Sequence, residues 1–104
     1  MIGLDTNVLI RYIAQDDKQQ SARATTLIEN ECSESSPGYV SQIVLVELVW
    51  VSESRYGATR DEIAELVRRI LGIRQLLVQG AEVAWQALRA FETGRADFAD
   101  CLIE

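Results

Sequence analysis

The chain begins MIGLDTNVLIRYI (residues 1–13), and this stretch indicates the fold class. Residues 1–4 form a short apolar run that is typical of a buried strand, and polar side chains interrupt it from Asp5 onward. Because aspartate is a favourable residue at the start of a helix, we expect a helix over residues 8–14. A strand that leads directly into a helix is the basic unit of α/β proteins.

The rest of the chain repeats this alternation, with glycines, serines and Pro37 between the apolar stretches. We expect strands at 1–4, 39–40 and 74–79, and helices at 8–14, 19–31, 42–56, 58–71, 81–93 and 96–104. Strands that alternate with helices predict a parallel sheet with helices on its faces. We expect residues 1–104 to form one domain, because this length suits a single core and 48% of the residues are apolar.

Composition excludes several kinds of site. The chain has no histidine, which excludes Ser-His-Asp and Cys-His catalysis and zinc or haem held by histidine. Its two cysteines, Cys32 and Cys101, are far apart in sequence, so no CxxC motif exists and a reducing compartment suits them best. No segment approaches the roughly 18–20 apolar residues of a membrane span, and the start lacks the features of a signal peptide. We therefore expect a cytoplasmic protein with no membrane contact.

The overall charge is acidic. Ten basic and sixteen acidic residues give a net charge of −6, which disfavours a protein that wraps around nucleic acid. A nuclease stays open, because acidic side chains can lie under metal ions. Nine of the ten basic residues are arginines, whose planar guanidinium groups suit phosphate, and Lys18 is the one lysine.

Three acidic positions carry the functional prediction. Asp5 ends the first predicted strand, where α/β sheets bind ligands, although it can also act only as a helix cap. Glu47 is the only charged residue in GYVSQIVLVELVWVS (38–52), so we expect it to be buried on a largely buried helix. A buried carboxylate needs a proton, a metal ion or an arginine partner, and the ion pair stays open as the alternative.

The third acidic feature is the segment Asp97-Phe98-Ala99-Asp100, which contains two carboxylates. The spacing of three puts both carboxylates on one side of the first turn of a helix, and Asp97 can also serve as a simple cap. Together with Asp5 and Glu47, these acids lie at or shortly after the starts of helices in one layer, without a lysine or histidine nearby. Oxygen ligands select hard cations such as Mg²⁺ or Mn²⁺, which activate water for phosphodiester hydrolysis without histidine.

Three segments in this order, MIGLDTNVLIRYI (1–13), VSQIVLVELVWV (40–51) and ADFADCLIE (96–104), resemble the PIN-domain ribonucleases. The resemblance is strongest to VapC-type toxins of type II toxin–antitoxin systems. It implies a three-layer α/β/α sandwich with a short parallel central sheet. It implies catalytic roles for Asp5, Glu47 and Asp100, metal binding by these three and Asp97, and polar support from Thr6, Asn7 and Ser41.

The resemblance also implies an activity and partners. The protein would be an Mg²⁺- or Mn²⁺-dependent endoribonuclease that forms a homodimer and is neutralised by a cognate antitoxin. Arg11 is a candidate for holding the RNA backbone. We expect Trp50 and Trp85 mainly in the core, with part of their surface available to a dimer partner or antitoxin. Relatives continue through a further strand that supplies a fourth acid, so the resemblance implies a PIN-like domain shortened at its C-terminal end.

Two other functions stay open from the residues. One is an aspartyl-phosphate enzyme with Asp5 as nucleophile, which needs a well-placed lysine, and Lys18 lies in a polar loop. The other is a catalytically inactive PIN-like module that acts through protein binding.

Overall fold

The computed structural model describes residues 1–103 of the chain. Its strands are β1 (Ile2–Gly3), β2 (Gly38–Val40) and β3 (Leu76–Val78). Its helices are α1 (Thr6–Ala14), α2 (Lys18–Thr26), α3 (Gln42–Tyr56), α4 (Arg60–Gly72), α5 (Ala81–Thr93) and α6 (Phe98–Ile103). A π-helical turn, Leu27–Glu31, continues α2, so the single helix expected over 19–31 changes its winding at residue 27.

The three strands form a parallel sheet with β2 in the centre. A Cβ atom on Gly38, the first residue of β2, would lie 2.8 Å from Cδ1 of Leu4 and 3.0 Å from both Cys32 Sγ and Leu76 Cδ2. The central strand therefore begins at a position that has no room for a side chain. Because parallel strands end at the same edge of a sheet, the residues after β1 and after β2 lie at one edge.

Helices cover the sheet in the α/β/α arrangement, and the expected fold is confirmed. Fully buried side chains come from several helices, among them Leu9 of α1, Leu48 of α3 and Val67 of α4. The rings of Phe91 and Phe98 meet edge to face with their centroids 6.0 Å apart, which anchors α6 against α5. The helix expected over 96–104 is thus present, although Glu104 lies outside the described residues.

Helix α3 is less buried than its composition indicates. Its core side contains Leu45, Leu48 and Val49, but Ile43 is 72% exposed and Trp50 is 65% exposed. The expectation of a core position is therefore wrong for Trp50, whereas Trp85 is partly buried against the core. The neighbouring elements cover one side of α3, and a sequence that is apolar all round does not reveal which side that is.

Among residues 1–103, no helix has both the length and the apolar character needed to span a membrane.

Candidate active site

Asp5 lies where the first strand passes into the first helix. It caps α1 in an extended conformation, and its Oδ1 accepts a hydrogen bond of 2.9 Å from the Val8 amide. The residue is exposed, and no ion pair engages it among the described residues. The capping role expected from sequence is thus present, and it engages only one of the two carboxylate oxygens in the hydrogen bonds of the described residues.

Thr6 follows Asp5 in the chain and contacts Glu47 through its side chain. The Thr6 hydroxyl, which is only 9% exposed, donates a hydrogen bond of 3.3 Å to Oε2 of Glu47. Glu47 itself is exposed, so the prediction of a buried carboxylate is wrong. The reason is that Glu47 lies on the uncovered side of α3. No guanidinium pairs with it in the described part of the chain, and the alternative of a buried ion pair is not realised either.

Both acids line one cleft of about 410 Å³ between α1 and α3. Asn7 lines it beside Asp5, and two arginines, Arg11 and Arg55, lie in its wall. The cleft therefore combines oxygen donors that suit a hard cation with guanidinium groups that suit phosphate.

The arginines differ in how they are held. Arg11 donates to Oδ1 of Asp16 at 3.1 Å, and the Tyr56 hydroxyl donates to Oδ2 of the same carboxylate at 3.1 Å. Partial loss of hydration raises the pKa of Asp16. The hydrogen bonds from Tyr56 and Arg11 outweigh this effect and hold the pKa of Asp16 below its ordinary value. Burial, followed by the bond to Asp16, raises the pKa of Tyr56. Arg55 is exposed and has no acidic partner within residues 1–103.

Asp97 and Asp100 lie apart from this pair. Asp97 lines a neighbouring groove of about 340 Å³, and Trp50 contributes to the walls of both. Asp100 is exposed on α6 and lines neither. Over the described residues, no three acidic or cysteine side chains are grouped closely enough to hold a metal ion. The structure thus brings Asp5 and Glu47 together, and it does not bring Asp100 to them.

Ser41 has a structural position at the same sheet edge. Its hydroxyl oxygen accepts a hydrogen bond of 3.1 Å from the Val44 amide and so caps α3. It lines neither the cleft nor the neighbouring groove.

Sequence reasoning missed Arg55 and Tyr56 as residues of the cleft. For Arg55 a signal was present in the helical spacing, because it follows Glu47 by about two turns of α3, whereas the spacing gives no such signal for Tyr56. The apolar composition of α3 predicts burial all round and therefore hides its exposed side.

The donor set fits Mg²⁺ or Mn²⁺ better than a soft metal. Asp5 and Glu47 supply carboxylate oxygens, Thr6 orients one of them, and no thiol lines the cleft. Magnesium is commonly bound by one or two carboxylates together with substrate phosphates and keeps several of its waters, and the carboxylates of this cleft match that pattern in kind and number.

Comparisons with known proteins agree with this fold. The PIN domain family model matches residues 2–104. One similar protein is the VapC ribonuclease of Aquifex aeolicus (strain VF5), which is 25% identical over 99 residues, covering 95% of this chain and 73% of that protein. No solved structure gives a significant match. The resemblance to PIN-domain proteins of the VapC type is thereby confirmed, and the chain belongs to the PIN domain family.

Proposed function

We propose that this protein is a metal-dependent endoribonuclease toxin that hydrolyses phosphodiester bonds of RNA in the cytoplasm. The main support is that Asp5 and Glu47 lie on one cleft, connected by Thr6, with Arg11 and Arg55 in the same wall. Membership of the PIN domain family and the similarity to a VapC ribonuclease support an RNA-cleaving hydrolase.

Each side chain has a role in this proposal. Asp5 and Glu47 would hold Mg²⁺ or Mn²⁺, which when bound supplies positive charge at the phosphate and a lowered pKa for water. Thr6 keeps Glu47 oriented, and Arg55 binds a phosphate oxygen next to the bond that is cleaved. Because the chain has no histidine, a carboxylate of this cleft or a metal-bound base would accept the proton of the attacking water.

Asp97 and Asp100 stay predictions within this proposal. Both were assigned to the metal by the resemblance, and neither lines the cleft of Asp5 and Glu47. Their separate replacement by asparagine, with cleavage measured at several Mg²⁺ concentrations, tests whether either one contributes a ligand.

The central experiment compares RNA cleavage by the wild type in Mg²⁺ and in EDTA, and by the variants Asp5→Asn and Glu47→Gln. We expect EDTA to abolish cleavage and each variant to lose about 100-fold or more, as is usual for groups that move a proton in catalysis. Glu82→Gln is the matched control, since Glu82 is exposed on α5 and lines neither the cleft nor the groove. Unchanged cleavage by Asp5→Asn would show that the assignment is wrong.

Two partners belong to the proposal, a cognate antitoxin and a second copy of the chain. Sedimentation of the purified protein alone and with the product of a small neighbouring gene measures both associations. A second candidate function, an inactive module that acts through protein binding, is favoured by the absence of a three-acid group among the described residues. Tight antitoxin binding without RNA cleavage would favour that candidate.

The aspartyl-phosphate alternative has less support. Its lysine would have to be Lys18, which begins α2 and lines neither the cleft nor the groove. Stoichiometric labelling of Asp5 by beryllofluoride would favour it over the nuclease.

A further inference from the structure

Trp50 is a large apolar side chain that is left open to solvent. It is 65% exposed, although it follows three core residues of α3 in the sequence. Its indole lines the cleft that holds Asp5 and Glu47 and also the neighbouring groove that holds Asp97. Trp50 therefore forms the ridge between two depressions, and most of its surface is open to solvent.

The position of this ridge relative to Glu47 follows from helix geometry. Trp50 comes three residues after Glu47, which places the two side chains next to each other on one side of α3. Long side chains on a helix lean toward its N-terminus, so the indole leans toward the turn that carries Glu47. An aromatic ring thus borders the position where the proposed function requires a phosphate.

We propose that Trp50 is a stacking platform for one base of single-stranded RNA, next to the phosphate that a cation held by Asp5 and Glu47 would bind. The proposal rests on the proposed nuclease function. Unstacked bases bind to exposed aromatic rings with little dependence on sequence, whereas the bases of a duplex are already stacked on each other.

The cleft beside Trp50 contains guanidinium groups as well as carboxylates, and this combination suits a nucleotide better than an apolar protein surface. Glu47 lines the cleft together with Trp50, and Glu53 and Asp97 line the neighbouring groove. An apolar partner that covered the ring would remove water from these carboxylates at a large cost in free energy. A nucleotide covers the ring with its base, brings its phosphate to Arg55, and leaves the carboxylates hydrated or bound to cations.

The kinetic test uses Trp50→Ala, Trp50→Phe and Ile43→Ala on a short single-stranded RNA. We expect Trp50→Ala to raise KM roughly 5- to 150-fold, the range for one stacked base, with a smaller change in kcat. Trp50→Phe keeps a ring and should recover most of the loss. Ile43→Ala is the matched control, because Ile43 is equally exposed on α3 but lines neither depression.

Two kinetic results would overturn the proposal. One is wild-type KM in Trp50→Ala. The other is an equal rise of KM in Ile43→Ala, which would indicate that a protein contact along α3 is what the variants disturb. Because Trp50 is exposed, we expect unfolding in urea to be nearly unchanged in Trp50→Ala, and this measurement separates loss of binding from loss of fold.

A second measurement does not depend on cleavage. In Trp85→Phe, Trp50 is the only tryptophan, so its fluorescence can be followed in a stopped-flow instrument before any product forms. We expect single-stranded RNA to quench this fluorescence and a duplex of the same sequence to quench it much less.

The two measurements separate the stacking proposal from the nuclease proposal. Quenching without cleavage by the wild type would support stacking and contradict the nuclease. Cleavage without quenching would contradict stacking alone. Fluorescence that changes with protein concentration in the absence of RNA, and no longer responds to RNA, would show that a second copy covers Trp50 and would also overturn the stacking proposal.

Discussion

At the scale of single residues, the contact between Thr6 and Glu47 decides what the cleft can do. Glu47 is exposed and could adopt many rotamers, and the nearly buried Thr6 hydroxyl restricts it to one side. Asp5 is restricted in a different way, since its Oδ1 is engaged by the Val8 amide. Two acidic side chains on different elements are thereby held at one place without an ion pair to either.

Removal of the Thr6 hydroxyl should weaken metal binding more than folding. In Thr6→Val the shape is kept but the donor is lost, and we expect the Mg²⁺ concentration for half-maximal cleavage to rise about tenfold, as for a hydrogen bond to a charged group. The free energy of unfolding should change by less than about 1 kcal/mol, because Glu47 can still be hydrated. Thr6→Ser keeps the hydroxyl and is the control; equal Mg²⁺ requirements in both variants would contradict the role of the bond.

At the scale of elements, Asp16 connects the C-terminal ends of α1 and α3 through hydrogen bonds. This residue lies just beyond α1 and accepts from Arg11 of that helix and from Tyr56 at the end of α3. Arg11 and Tyr56, the two donors of this network, both line the cleft.

The Asp16 network predicts how stability depends on pH. The folded pKa of Asp16 is below its ordinary value of 3.8, so the unfolded chain takes up the proton first as the pH falls. The network therefore stabilises the fold above about pH 4, and this contribution is lost as the pH falls through the folded pKa. Unfolding in urea between about pH 6 and pH 3 should show a shallower pH dependence in Asp16→Asn than in the wild type. The same slope in both proteins would show that other carboxylates account for it.

The stability of helix α3 also depends on the hydrogen bond that caps its N-terminus. Ser41 supplies the cap through the bond to the Val44 amide, although the resemblance assigns it a role near the metal. We expect Ser41→Ala to lower the free energy of unfolding by about 1 kcal/mol and to leave kcat nearly unchanged. Ser41→Asn, which can still cap, should restore the stability. A large fall of kcat in Ser41→Ala with normal stability would instead support the role near the metal.

At the scale of the whole molecule, a net charge of −6 limits how RNA can bind. The cleft contains Arg11 and Arg55 within a surface that otherwise repels phosphate. Binding should therefore depend on a small number of local phosphate contacts and on the stacked base, and less on a broad electrostatic attraction.

The salt dependence of RNA binding measures this directly. Two phosphate contacts to a single strand predict a slope of about −1.4 for log K against log salt, or roughly a sevenfold loss between 50 and 200 mM. Arg55→Gln should make the slope shallower by about 0.7. The salt series is measured by Trp50 fluorescence at fixed Mg²⁺, and a slope near −4 would show that a further basic surface takes part.

The sequence by itself determined the elements and their order. Helices α3 and α5 begin and end at the residues expected, because their limits are set by local chemistry. Ser41 caps α3, and Gly57 ends it with a φ of 63°. The three short apolar runs likewise became parallel strands, and Asp5 came to the edge of the sheet because it directly follows the first of them.

Only the tertiary structure decided which side of each element is open. The composition of α3 indicated burial all round, but the neighbouring helices leave Glu47 and Trp50 exposed. It also decided which acids meet, since Asp100 on α6 lies outside the cleft that brings Asp5 and Glu47 together. The physical reason is that caps and turns depend on neighbours in the chain, whereas exposure and the meeting of side chains depend on how whole helices pack.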